Sequence, residues 1–136
     1  MNNDIKKLNE ELQKFLEKDY IEGNKQPLYE FADLVPEDTN LAAVIWVDGP
    51  HNIKHSKRIK FQNSNATSLN GEEMIPITIS DDPQIPNSVK SRLKIKARDL
   101  TRIKQWIILN KEVLLAYTNG DITTKQLYMQ IKPLKN

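Results

Sequence analysis

Ile5, Leu8, Leu12, Phe15 and Leu16 recur at spacings of three and four, with Lys and Glu among the residues between them. That period predicts an amphipathic helix over residues 4 to 19, with Asp4 as N-cap and Glu10 and Lys14 as a favourable four-residue pair. Gly23, Asn24 and Pro27 end the pattern, so 20 to 27 reads as a loop. Residues 28 to 34 read as one short helical turn before Val35-Pro36, because the residue ahead of a proline is pushed out of the helical region.

From Leu41 the period changes. Residues 41 to 47 are apolar throughout and rich in β-branched and aromatic types, which predicts a buried strand, and Asp48-Gly49-Pro50 turns the chain. Residues 57 to 62 predict a second strand, with Ile59 and Phe61 on one face and Arg58, Lys60 and Gln62 on the other. A polar loop follows to residue 73. Residues 74 to 79 predict a third strand, and Pro76 inside it calls for an edge position or a bulge. Loops at Asp81-Asp82-Pro83 and Pro86-Asn87 lead into residues 89 to 98, Val-Lys-Ser-Arg-Leu-Lys-Ile-Lys-Ala-Arg. As a strand, 89 to 96 puts Val89, Leu93 and Ile95 on one face and the cations Lys90, Arg92, Lys94 and Lys96 on the other.

Helical spacing returns in Leu100, Ile103, Trp106, Ile107, Val113, Leu114 and Tyr117, predicting a helix from 99 to 118 that Asp99 caps and Asn110 kinks or divides. Asn119-Gly120 is a stop signal. A last helix, 123 to 131, is capped near Asp121 and ended by Pro133. The predicted fold is a single α+β domain over 1–136: helix and loop in 1–27, a β region in 41–96, and helices in 99–132. Its small, mostly antiparallel sheet of about four strands is covered on one face by helices.

Composition narrows the function. A chain of 136 residues without cysteine has no disulfides, thiolate zinc sites or cysteine nucleophile. No stretch reads as a signal peptide or membrane span, so a soluble, cytoplasmic protein that makes no membrane contact is expected. The net charge of +2 hides an asymmetry. Residues 1 to 50 hold 5 Lys and 11 acids, a net of −6, whereas 51 to 136 hold 15 Lys or Arg and 7 acids, a net of +8. Three uses fit: a basic binding surface, head-to-tail homo-oligomers joined by opposite poles, or a merely solvated acidic helix.

The cations carry the candidate site. Lys90, Arg92, Lys94 and Lys96, joined by Arg58 and Lys60 from a neighbouring strand, would form a basic sheet face for phosphates, extended by Arg102 and Lys104. Aromatic rings that stack bases are not expected on that face, since Phe61 points opposite Lys60 and Trp46 sits in an apolar strand. The ordinary reading of such a row is a lysine-rich edge strand protected from aggregation. His51 and His55 share a loop with Asp48, but helical geometry for a metal pair is broken by Gly49-Pro50, and no acid lies between His51 and Glu72. Glu37-Asp38 and Asp81-Asp82 adjoin prolines and match no calcium loop. No phosphate-cradling glycine loop or nucleophile elbow is present. No catalytic residue, metal or cofactor is expected.

The segments Lys57-Arg-Ile-Lys-Phe-Gln62, Ser80-Asp-Asp-Pro-Gln-Ile85 and Ile103 to Leu115 resemble small uncharacterised proteins of crAss-like and related tailed phages of Bacteroidetes, over the C-terminal two-thirds. The pair His51-Asn-Ile-Lys-His55 is partly similar to a histidine-rich loop in a bacterial domain of unknown function. The phage resemblance implies an accessory or virion protein and carries no activity to any residue. The expected function is non-enzymatic binding of a polyanion, nucleic-acid backbone foremost, by the basic face. The alternative is a protein-interaction module, such as a phage assembly component or host-factor inhibitor, with an acidic protein surface as partner.

Overall fold

The computed structural model describes residues 31–50, 57–65 and 71–136, which belong to one compact unit, Phe31–Asn136. The expected first helix (4 to 19), its loop (20 to 27) and the histidines His51 and His55 lie outside the described residues.

The fold is α+β, with four strands in sequential antiparallel order: β1 (Phe31–Leu34), β2 (Ile45–Asp48), β3 (Arg58–Gln62) and β4 (Met74–Thr78). Alternation sorts their faces. Ala32, Leu34, Ile45, Val47, Ile59, Phe61, Ile75 and Ile77 are buried on one face. Phe31, Asp33, Trp46, Asp48, Arg58, Lys60, Pro76 and Thr78 alternate with them and form the other face. The core is closed by Ile103, Trp106 and Ile107 of α2 (Ala97–Leu109), Leu114 and Tyr117 of α3 (Lys111–Thr118), and Leu127 of α4 (Thr124–Gln130).

Two predicted elements are corrected. Residues 31 to 34 are a strand paired with β2, not a helical turn, and Pro36 opens a helix instead of ending one. It occupies the first position of α1 (Pro36–Thr39), where its missing N–H is no loss, and Asp38 accepts from the Val35 N–H at 3.0 Å. The second correction concerns residues 89 to 96. They form no strand: a 3-10 helix covers Asn87–Arg92, and an irregular segment leads to α2. The sheet therefore runs from 31 to 78 and not from 41 to 96.

Pro76 explains why no strand pairs beyond β4 among the described residues. The Asn63 N–H donates to Glu73 O at 2.8 Å and the Ile79 N–H to Lys57 O at 3.0 Å. Counted by twos, residues 75 and 77 face β3, while 74, 76 and 78 face outward. Thr78 does donate outward, to Gln84 O at 3.0 Å, but Pro76 has no N–H to offer. The chain from 84 to 94 closes this edge as a strap tied at both ends. At one end the Gln84 N–H donates to Thr78 Oγ1 at 2.9 Å. At the other, buried Asn63 donates from Nδ2 to Arg92 O at 2.9 Å and accepts from the Lys94 N–H at 2.8 Å. Val89 and Ile95 turn inward and the four cations outward, so the alternation marks burial without strand conformation.

The helices follow the pattern more closely. Asn110 separates α2 from α3. It is buried, and its amide donates to Trp106 O and Lys132 O, each at 3.0 Å, and accepts from the Lys132 N–H at 2.8 Å. Gly120, at φ +83°, ends α3 in a Schellman turn, with its own N–H on Tyr117 O and the Asp121 N–H on Ala116 O. Two expected caps are replaced. Asp99 lies within the first turn of α2, behind Lys96. Thr123, not Asp121, caps α4, exchanging hydrogen bonds with Gln126 in a capping box. The C-terminal segment is also held by Asn40, left-handed at φ 60°, whose Nδ2 donates to Leu134 O at 2.7 Å.

Candidate nucleic-acid interface

The structure divides the six candidate cations into two groups instead of one face. Arg58 and Lys60 stand on the outer sheet face; Lys90, Arg92, Lys94 and Lys96 belong to the strap along the β4 edge and its continuation to α2. Three of the six are paired. Arg92 grips Glu73, with Nη2 to Oε2 at 2.8 Å, and Lys94 meets Glu72 at 3.0 Å. Lys60 reaches Asp48 at 3.8 Å. The Arg92 guanidinium, chiefly by hydrogen bonding, holds the Glu73 carboxyl below the usual glutamate range, and Glu73 in turn raises Arg92. Among the described residues, Arg58, Lys90 and Lys96 have no carboxylate partner.

Arg102 is also committed, donating to Asn40 O at 2.9 Å, a bond that satisfies the carbonyl end of α1. Its guanidinium keeps its charge, with no carboxylate partner among the described residues. Lys104 lies on α2 at the flank of its core stripe, half-buried.

Aromatic rings do share the face of Lys60, against expectation. Trp46 is the cross-strand partner of Lys60 on one side and of Asp33 on the other. Phe31 stacks on Trp46 with ring centroids 4.0 Å apart and planes 7° from parallel, and Phe31 remains 39% exposed. Asp48 fixes the indole: Trp46 Nε1 donates to Asp48 Oδ1 at 2.6 Å, and the same carboxylate attracts Lys60. Stacking of this kind contributes about 0.5–1.5 kcal/mol beyond burial. The signal was present in Asp33 and Asp48. Each polar residue marks the solvent side of its strand, and Phe31 and Trp46 lie two residues away on the same side.

Lys60 also faces Pro76, and Arg58 faces Thr78. Next to them a groove of about 340 Å³ opens between β4 and the start of the strap, lined by Arg58, Pro76, Thr78, Gln84, Ile85 and Pro86. The outer face thus runs from an aromatic stack, past two cations, to a groove with apolar walls.

No group of three or more His, Asp or Glu among the described residues is placed to hold a metal ion. Among the same residues, no helix is long and apolar enough to cross a membrane. Comparison of the chain with protein families, curated proteins and solved structures finds no match.

Proposed function

We propose that this chain is a non-enzymatic nucleic-acid-binding module that receives single-stranded backbone and bases on its outer sheet face. The observation that carries this reading is the Trp46–Lys60 pair, a partly exposed indole and a cation side by side on neighbouring strands, with Phe31 stacked on the indole. Single-strand binders combine such rings with positive charge that tracks the backbone. Arg58 and Lys60 supply that charge on the sheet, and Lys90 and Lys96 extend it along the strap. Arg92 and Lys94 serve first to hold the strap on Glu72 and Glu73. A phage-borne accessory role is the context that the sequence resemblance lends to this activity.

Fluorescence anisotropy of a labelled single-stranded oligonucleotide at low salt tests the proposal. Binding is expected to weaken about tenfold or more in W46A, since one stacked base contributes about 1–3 kcal/mol. No binding, or binding indifferent to W46A, would reject it.

A second reading rests on a different surface. Ile108 and Leu109 are 48% and 47% exposed where α2 meets α3, beside a groove of about 380 Å³ that Lys111, Val113 and Lys132 also line. Exposed apolar residues beside charge suit a protein partner. Discrete oligomers or protein complexes that survive I108S/L109S would remove this reading.

A further inference from the structure

The groove beside Arg58 carries the proposed function one step further. Pro76, Ile85 and Pro86 give it apolar walls, and Arg58 and Gln84 bring polar groups to it. Its volume of about 340 Å³ lies at the small end of ligand pockets, which suits one base with its sugar and not an extended ligand. The rim is preformed: Thr78 N–H donates to Gln84 O at 3.0 Å, Gln84 N–H returns to Thr78 Oγ1 at 2.9 Å, and two prolines restrict the flanking backbone. Among the described residues, the Gln84 side-chain amide makes no hydrogen bond and the exposed Arg58 has no carboxylate partner. From Trp46 past Lys60 to Pro76 is two strand spacings, about 10 Å, so groove and aromatic stack lie within reach of one short strand.

We propose that this groove is a pocket for one adenine nucleotide of a bound single strand, with Arg58 on the phosphate, Gln84 on the base edge and the proline rings against the base plane. The inference rests on the nucleic-acid reading of the sheet face. The chemistry selects this occupant: a slot with apolar walls accepts a planar ring, a cation at its mouth accepts a phosphate, and a carboxamide pairs with the adjacent donor and acceptor of adenine.

Anisotropy with short oligo-dA and oligo-dT, for the full chain and for Q84A, R58Q and W46A, tests the pocket, with circular dichroism confirming that each exposed-site variant folds. Wild type should prefer oligo-dA by about tenfold, and Q84A should remove that preference while leaving the salt dependence unchanged. R58Q should weaken both ligands and lower the salt slope by about 1. W46A should weaken both and keep the preference. An oligo-dA preference absent in wild type, or untouched by Q84A, while W46A still weakens binding, would overturn the pocket and leave the sheet-face reading standing. Absence of all oligonucleotide binding, or indifference to W46A, would overturn both.

Discussion

Asn110 pairs with the backbone of Lys132 through both ends of its side-chain amide, donating at 3.0 Å and accepting at 2.8 Å. A residue that interrupts the apolar stripe of a helix is thereby the anchor of the C-terminal segment. N110A removes these bonds and the one to Trp106 O, and strands polar groups beside the core. About 3 kcal/mol of stability should be lost. Urea unfolding measures that loss, and hydrogen exchange should quicken first at the Lys132 amide.

Glu73 predicts a sign in the acid limb of stability. Its carboxyl titrates below the ordinary range because Arg92 holds the charged form. A lowered carboxyl contributes stability that is present above the unfolded value, near pH 4.3, and is lost as the pH falls through the folded value. E73Q should therefore flatten the melting temperature between about pH 4.3 and lower pH relative to wild type. Thermal melts across that range, at low salt, check it.

The strap cations should separate by charge reversal. R92E sets a carboxylate against Glu73 and loosens the strap from the β4 edge, lowering the melting temperature. Lys90 and Lys96 meet no carboxylate among the described residues, so K90E and K96E should leave it almost unchanged while weakening any binding to oligonucleotides. Melts and anisotropy on the same three variants distinguish the two roles.

Gly120 should resist a side chain. Its φ of +83° lies in the left-handed region, where a Cβ costs about 1–2 kcal/mol. G120A should destabilise by that amount without altering any surface, as denaturant midpoints would show.

What could be read from the sequence depended on whether one segment carried its own signal. Pro76 announced an edge or a bulge by itself, Asn110 a kink or a break between helices, and Asn119-Gly120 a stop; each is a local rule acting locally. Residues 89 to 96 misled because apolar positions report which side chains turn inward, and a strap across a sheet edge turns Val89, Leu93 and Ile95 toward the core as a strand would, while Ser91 stays exposed. The deciding fact sat elsewhere, in the N–H that Pro76 lacks. Phe31 to Leu34 was too short to show a period, so its flanking proline dominated. The direction of Trp46 could be read only from Asp48, because the apolar run from 41 to 47 carries no alternation of its own. The pairing of Arg92 and Lys94 with Glu73 and Glu72 spans 19 and 22 residues, and no spacing rule reports contacts at that distance.

The strap over β4 has a consequence for how copies of this chain could meet. An open sheet can in principle add strands at both borders and so propagate without limit. Here one border is sealed by a proline and a positively charged cover, so a neighbour arriving with its own β1 finds no template there. Main-chain pairing of a second copy is thereby blocked along β4, and a row of sheets joined head to tail cannot extend through this border.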